Sequence, residues 1–166
     1  MRRFLCVLSV VLLCVLSPAL NGCGEEESAE ALLWSLLGEA SSLPKGEVYL
    51  SRAEEGEVGF LSSELVVRMY GEGGEALMKI AEEIALFLPS FPQPAELAVI
   101  TCYSATDAYE AEAVLRARLE HLTVAFFGTE WEATVRGARV AVEGRRVFFL
   151  LAEEAEELER LARRLC

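Results

Sequence analysis

The chain has 166 residues, with 15 Lys and Arg against 27 Asp and Glu, for a net charge of −12. So acidic a surface repels a phosphate backbone, which excludes nucleic acid as a partner, and disfavours general adsorption to anionic lipid. Asp107 is the sole Asp, His121 the sole His and Asn21 the sole Asn, which excludes an EF-hand loop, a two-His zinc site and a His-based triad with a spare base, so no metal and no cofactor are expected.

Arg2 and Arg3 form a positive n-region, and Phe4 to Leu16 an uncharged apolar run that is shorter than the ~20 residues of a spanning helix. Ser17-Pro18 breaks the run, and Leu20-Asn21-Gly22-Cys23 follows as a lipobox, the cleavage and acylation signal of bacterial lipoproteins. Residues 1–22 are therefore expected to be a cleaved signal peptide and Cys23 the lipid attachment site. The competing reading is an ordinary secretory signal cut after Ala19. Removal of 22 residues leaves 144, enough for a single core, and the loss of two Arg takes the charge to −14. Residues 23–28, with Glu25, Glu26 and Glu27, read as an acidic tether, and 29–166 as a single domain.

Ser28 suits an N-cap, and Leu32, Leu33, Leu36, Leu37 and Ala40 recur at helical spacing up to Pro44. Val48 to Leu50 is a candidate short strand. A short helix capped by Ser62 or Ser63 carries Leu65, Val66, Met69 and Tyr70 and stops at Gly71, with Gly71 to Gly74 read as a flexible turn. Residues 76–88 fit either period: Leu77, Ile80, Ala81, Ile84 and Leu88 match a helix, and Ile80, Ile84, Leu86 and Leu88 the alternating face of a strand. After the proline loop Pro89 to Pro94, Glu96 to Tyr103 alternates as a strand does. A long helix opened by Ser104 or Thr106 places Ala108, Ala111, Leu115, Leu119 and Leu122 on its buried stripe. Arg139 to Val142 and Arg145 to Leu151 flank Glu143-Gly144 as a β-hairpin, and Glu153 to Leu165 forms an amphipathic helix with acids at its start and Arg160, Arg163 and Arg164 at its end. These elements predict an α+β fold, a small two-layer domain whose antiparallel sheet, including the C-terminal hairpin, packs against helices behind the cleaved lipoprotein signal.

The Leu-Ser-Ser-Glu-Leu…Met-Tyr-Gly turn (Leu61 to Gly71), the Glu-Glu-Ile-Ala-Leu-Phe segment (Glu82 to Phe87), the helix from Asp107 and the Glu-Gly-Arg-Arg-Val hairpin (Glu143 to Val147) follow one another behind a lipoprotein N-terminus. This order, over about residues 60–160, resembles the short Gram-positive lipoproteins of the domain of unknown function 4358 family. The resemblance implies that Glu82 to Leu88 is a strand, and that reading is adopted here. Arg146 stands where a typical member has an aromatic, and the family carries no activity or catalytic residue to transfer.

Arg136, Arg139, Arg145 and Arg146 fall within eleven residues of an otherwise acidic chain, a candidate cationic face for lipid headgroups, wall polymer or an acidic envelope protein. The alternative, which the abundance of Glu favours, is that they pair with neighbouring carboxylates at little gain. Once the signal is removed and Cys23 acylated, Cys102 and Cys166 remain in a compartment that permits disulfides. A Cys102–Cys166 bridge, closing about 65 residues and worth about 4 kcal/mol, stands level with two free thiols. His121 reads as a surface residue, and Phe91 as folding back under its own loop rather than anchoring a partner. Cys102 lacks the setting that lowers a thiol's pKa. No catalytic residue is assigned. The expected function is a non-enzymatic accessory or binding protein of the cell envelope, lipid-anchored on the outer face of the bacterial cytoplasmic membrane. The alternative is a tethered hydrolase or redox protein; an acid pair of two Glu in one pocket would favour it.

Overall fold

The computed structural model describes residues 27–166, so the signal peptide, Cys23 and most of the tether lie outside the described residues. Six helices and five strands follow in the order α1 (Ala29–Glu39), β1 (Gly46–Leu50), α2 (Ser63–Tyr70), α3 (Glu72–Ile80), β2 (Ala81–Pro89), β3 (Glu96–Cys102), α4 (Ala105–Ala125), α5 (Glu132–Gly137), β4 (Arg139–Glu143), β5 (Arg146–Leu151) and α6 (Ala155–Leu165). The strands form one sheet, ordered β1-β2-β3-β5-β4, in which every neighbouring pair is antiparallel. The α+β class, the antiparallel sheet and the C-terminal hairpin are as expected.

Helices cover both faces of that sheet, which makes three layers where two were expected. Ile84, Leu86, Ala98, Ile100, Val147 and Phe149 point into a core shared with α2 to α5. Their alternates Ala85, Phe87, Leu97, Val99, Phe148 and Leu150 point into a second core closed by α1 and α6. Period-2 alternation thus survives as a choice between two buried faces rather than between core and water, which is why β3 and β5 read as nearly unbroken apolar runs.

Serine side chains set the helix starts. The Oγ atoms of Ser28, Ser62 and Ser104 accept from the amides of Ala31, Leu65 and Asp107, each at 3.1 Å, and supply partners for amides that have none within the helix. Gly71 to Gly74 is no flexible turn. Gly71 sits at φ +62° as the joint between α2 and α3, while Gly73 and Gly74 lie inside α3. A Cβ on Gly74 would stand 2.7 Å from the Val66 carbonyl oxygen, so the close approach of the two helices requires glycine there.

Both periodicities in 76–88 prove real, divided at Ile80: Leu77 and Ile80 belong to α3, and Ile84, Leu86 and Leu88 to β2. The strand expected over Glu82 to Leu88 lies within β2. A register irregularity at its start pairs Ala81 with Cys102 but Glu83 with Thr101. The extra residue reverses the alternation, so Glu83 turns to the α1 face although Ala81, two positions earlier, faces α4. There the buried Glu83 carboxylate accepts from the Ala29 amide at 3.0 Å and lies 3.5 Å from Arg52, joining the positive end of α1 to the sheet. Glu83→Leu should cost about 1–3 kcal/mol by leaving that amide buried without an acceptor, and Glu83→Gln, which keeps one, should cost less. Urea midpoints at unchanged slope measure both; equal losses would show that the hydrogen bond is not the cause.

Candidate binding site

Besides Glu83 and Arg146, Glu96 is the third buried charged residue among the described residues. Glu96 opens β3, with its side chain 3 % exposed. Tyr70, in the last turn of α2, donates its hydroxyl to Glu96 Oε1 at 2.8 Å. Arg118, in the second half of α4, donates from Nε and Nη2 to Glu96 Oε2 at 3.3 and 3.2 Å. Both carboxylate oxygens are thus engaged, while Arg118 Nη1 makes no hydrogen bond to any described residue. Burial pushes the Glu96 carboxyl above its ordinary range even though Arg118 and Tyr70 pull it down. Burial and the Glu96 charge push the Tyr70 phenol well above its own range, so it remains a hydrogen-bond donor.

Glu96 and Arg118 floor a cavity of about 260 Å³, walled by Met69, Leu88, Leu122, Phe126 and Leu151 and edged by the proline loop through Pro92 and Gln93, while Tyr70 holds Glu96 from behind it. The fold explains its position. β2 ends and β3 begins there, so the loop between them forms one rim. α4 runs back along the sheet from Ser104, and its 21 residues span about 30 Å, enough to bring Arg118, Leu122 and Phe126 to the other rim. Phe91 and Phe127, neighbours of the rim residues Pro92 and Phe126, are 64 % and 69 % exposed. Phe91 therefore does not fold beneath its loop.

None of this trio was singled out from the sequence as a site, although one signal was present. The buried residues Ala108, Ala111, Leu115 and Leu122 step by three and four, and the missing member of that series is Arg118. A charge on an apolar stripe, with a Glu opening an otherwise apolar strand, marks a buried pair.

The four arginines expected to share a cationic face are not brought together. Arg136 pairs with Glu132 one turn earlier, at 2.6 Å. Arg139 donates to the carbonyls of Gly137 and Ala138 and lies 3.7 Å from Glu159. Arg145 pairs with Glu82 and donates to the Cys102 carbonyl at 3.2 Å. Arg146, 6 % exposed, turns to the α1 and α6 side, where Nη2 donates to the Glu27 carbonyl at 2.7 Å and Nη1 lies 3.6 Å from Cys166 Sγ. The hairpin alternates, so Arg145 at the turn and Arg146 at the first paired position cannot both point outward.

The same alternation separates the two cysteines. Cys102 is buried in the α4-side core, and Cys166 is exposed beside Arg146 on the opposite side. The sheet stands between them, both thiols are free, and the bridge is not formed. Burial first, and Asp107 second, push the Cys102 thiol up to about 11 against the pull of Arg145, which removes its nucleophilic form at neutral pH. His121 stands exposed on α4.

Two further depressions hold more than one Glu. In one of about 130 Å³, where the chain enters α1, Glu82 and Glu83 are tied to Arg145, Arg52 and the Ala29 amide. In the other, between α1 and α6, Glu154 accepts from Ser41 Oγ at 2.7 Å and from the Ser42 amide at 2.8 Å; burial raises its pKa, but these bonds outweigh that and hold it low. Among the described residues no group of three or more His, Cys, Asp or Glu could hold a metal ion, and no helix is long and apolar enough to cross a membrane. No protein-family model, curated protein or solved structure matches the chain.

Proposed function

We propose that the chain is a non-enzymatic binding protein, anchored by lipid at Cys23 to the outer face of a bacterial cytoplasmic membrane. The observation that carries this is the sequence Leu20-Asn21-Gly22-Cys23, set behind an arginine pair and a short apolar run. Its closeness to the fold supports the same reading. Ser28 caps α1 only five residues after Cys23, a reach of about 18 Å at full extension. The end of the molecule holding Glu27, Ser28 and Thr101 therefore rests near the bilayer. Tyr103 and Tyr109 are 64 % and 65 % exposed at that end, and tyrosine suits a headgroup layer. The cavity floored by Glu96 and Arg118 lies at the other end of β3, six residue steps or about 20 Å away, facing an envelope partner rather than lipid.

Replacement of Cys23 by Ala tests the anchor. The variant should incorporate no labelled fatty acid and accumulate as precursor, whereas the unaltered chain carries label in the membrane fraction. Normal-sized Cys23→Ala protein in the medium would instead establish cleavage after Ala19.

A further inference from the structure

We infer that the cavity between the proline loop and α4 takes a small uncharged carbonyl compound, its apolar body against Met69, Leu122 and Phe126 and its oxygen on the Nη1 edge of Arg118. The volume of about 260 Å³ sets the size, near the lower limit of sites that enclose a small molecule. The walls set the body, since apart from Arg118 the side chains that reach the cavity from α2, β2, α4 and β5 are apolar. Charge sets the head. Both oxygens of Glu96 are occupied by Tyr70 and Arg118, which leaves no carboxylate for a cation. An anion would meet an Arg118 already neutralised by Glu96, in a chain of net charge −12, and would be repelled. A pure hydrocarbon would strip water from Nη1 and offer nothing in return. An acceptor without charge satisfies that edge and leaves the ion pair intact.

The direction of entry rests on the anchoring proposed above, because the cavity lies at the end of the sheet away from Glu27, where the described chain begins; the ligand then arrives from the wall side and not through the bilayer. The chemistry of the cavity does not depend on the anchor, and the two can fail separately.

Methionine reports on the site directly. The chain has three, of which Met1 leaves with the signal, Met69 lines the cavity and Met78 packs elsewhere against the same core. The mature protein, purified in detergent micelles with ¹³C-methyl methionine, is titrated with camphor, an uncharged apolar ketone, and with camphene, a bicyclic hydrocarbon of the same carbon number that lacks the carbonyl. Camphor should move the Met69 methyl resonance along a saturable single-site curve and leave Met78 in place, and camphene should bind about five-fold more weakly, the worth of one hydrogen bond. Arg118→Lys, which keeps the charge and loses the planar fork, should narrow that preference. Leu122→Trp should abolish the Met69 response with an unchanged circular dichroism spectrum, and if this variant misfolds, Gln93→Trp fills the cavity from the loop instead. An unmoved Met69, or Met69 and Met78 moving together, would overturn the site, and equal binding of camphene would overturn the acceptor. Absence of fatty-acid label from the unaltered chain would overturn the anchor alone.

Discussion

Arg118→Met will destabilise the fold by about 3–5 kcal/mol near neutral pH, the cost of leaving a buried carboxylate without its partner. Glu96 is 3 % exposed, and its one remaining hydrogen bond would be that from Tyr70. The double variant Glu96→Leu with Arg118→Met should lose much less than the two single losses combined, because no charge is then stranded. The pH dependence has a fixed sign. Burial raises the Glu96 carboxyl in the folded state, so between the unfolded and the folded pKa, and only there, the folded chain holds a proton that the unfolded chain has released. Its contribution is complete below the unfolded carboxyl pKa and declines as pH rises through the folded one. Removal of Arg118 raises that folded value further, so the variant should recover stability on acidification more steeply than the unaltered protein. Urea melts of both proteins over the acid to neutral range measure this, and a penalty independent of pH would show that the loss comes from packing and not from charge.

Adjacent arginines in the hairpin will respond in opposite ways. Arg145→Ser should change stability by no more than about 1 kcal/mol, because its ion pair with Glu82 is partly solvated, with about a third of each side chain exposed. Arg146→Ser should cost about 2–4 kcal/mol, since it empties a buried position and strands the Glu27 carbonyl where the chain enters α1. Denaturant midpoints of the two variants measure the split. Equal, small losses would restore an outward-facing cationic pair, for which salt-sensitive association with anionic vesicles would then be expected.

Most elements could be read locally because their determinants are local. A serine oxygen three positions from the amide it caps, a glycine at φ +61° between two strands of the hairpin, and acids and arginines at opposite ends of α6 act within a turn or two of chain. Where local rules were balanced, as in 76–88, the chain used each of them in turn, and only the pairing of β2 with β3 and β1 places the boundary at Ile80.

Sequence by itself therefore determined the α+β class, the helix caps and the hairpin. Tertiary structure alone decided which faces were buried, because an apolar strand does not say how many layers cover it. The second layer, α1 with α6, comes from the two ends of the described chain, and nothing in either helix announces that they meet across a sheet. That layer buries Arg146, turns Glu83 inward through a one-residue bulge and leaves Cys102 and Cys166 on opposite sides. The cavity has the same origin. Tyr70, Glu96 and Arg118 lie 26 and 22 residues apart on three different elements, and each reads alone as an ordinary member of its own helix or strand. Their pairing exists only once α2 and α4 pack against one end of β3, where exclusion of water makes each charge depend on the other.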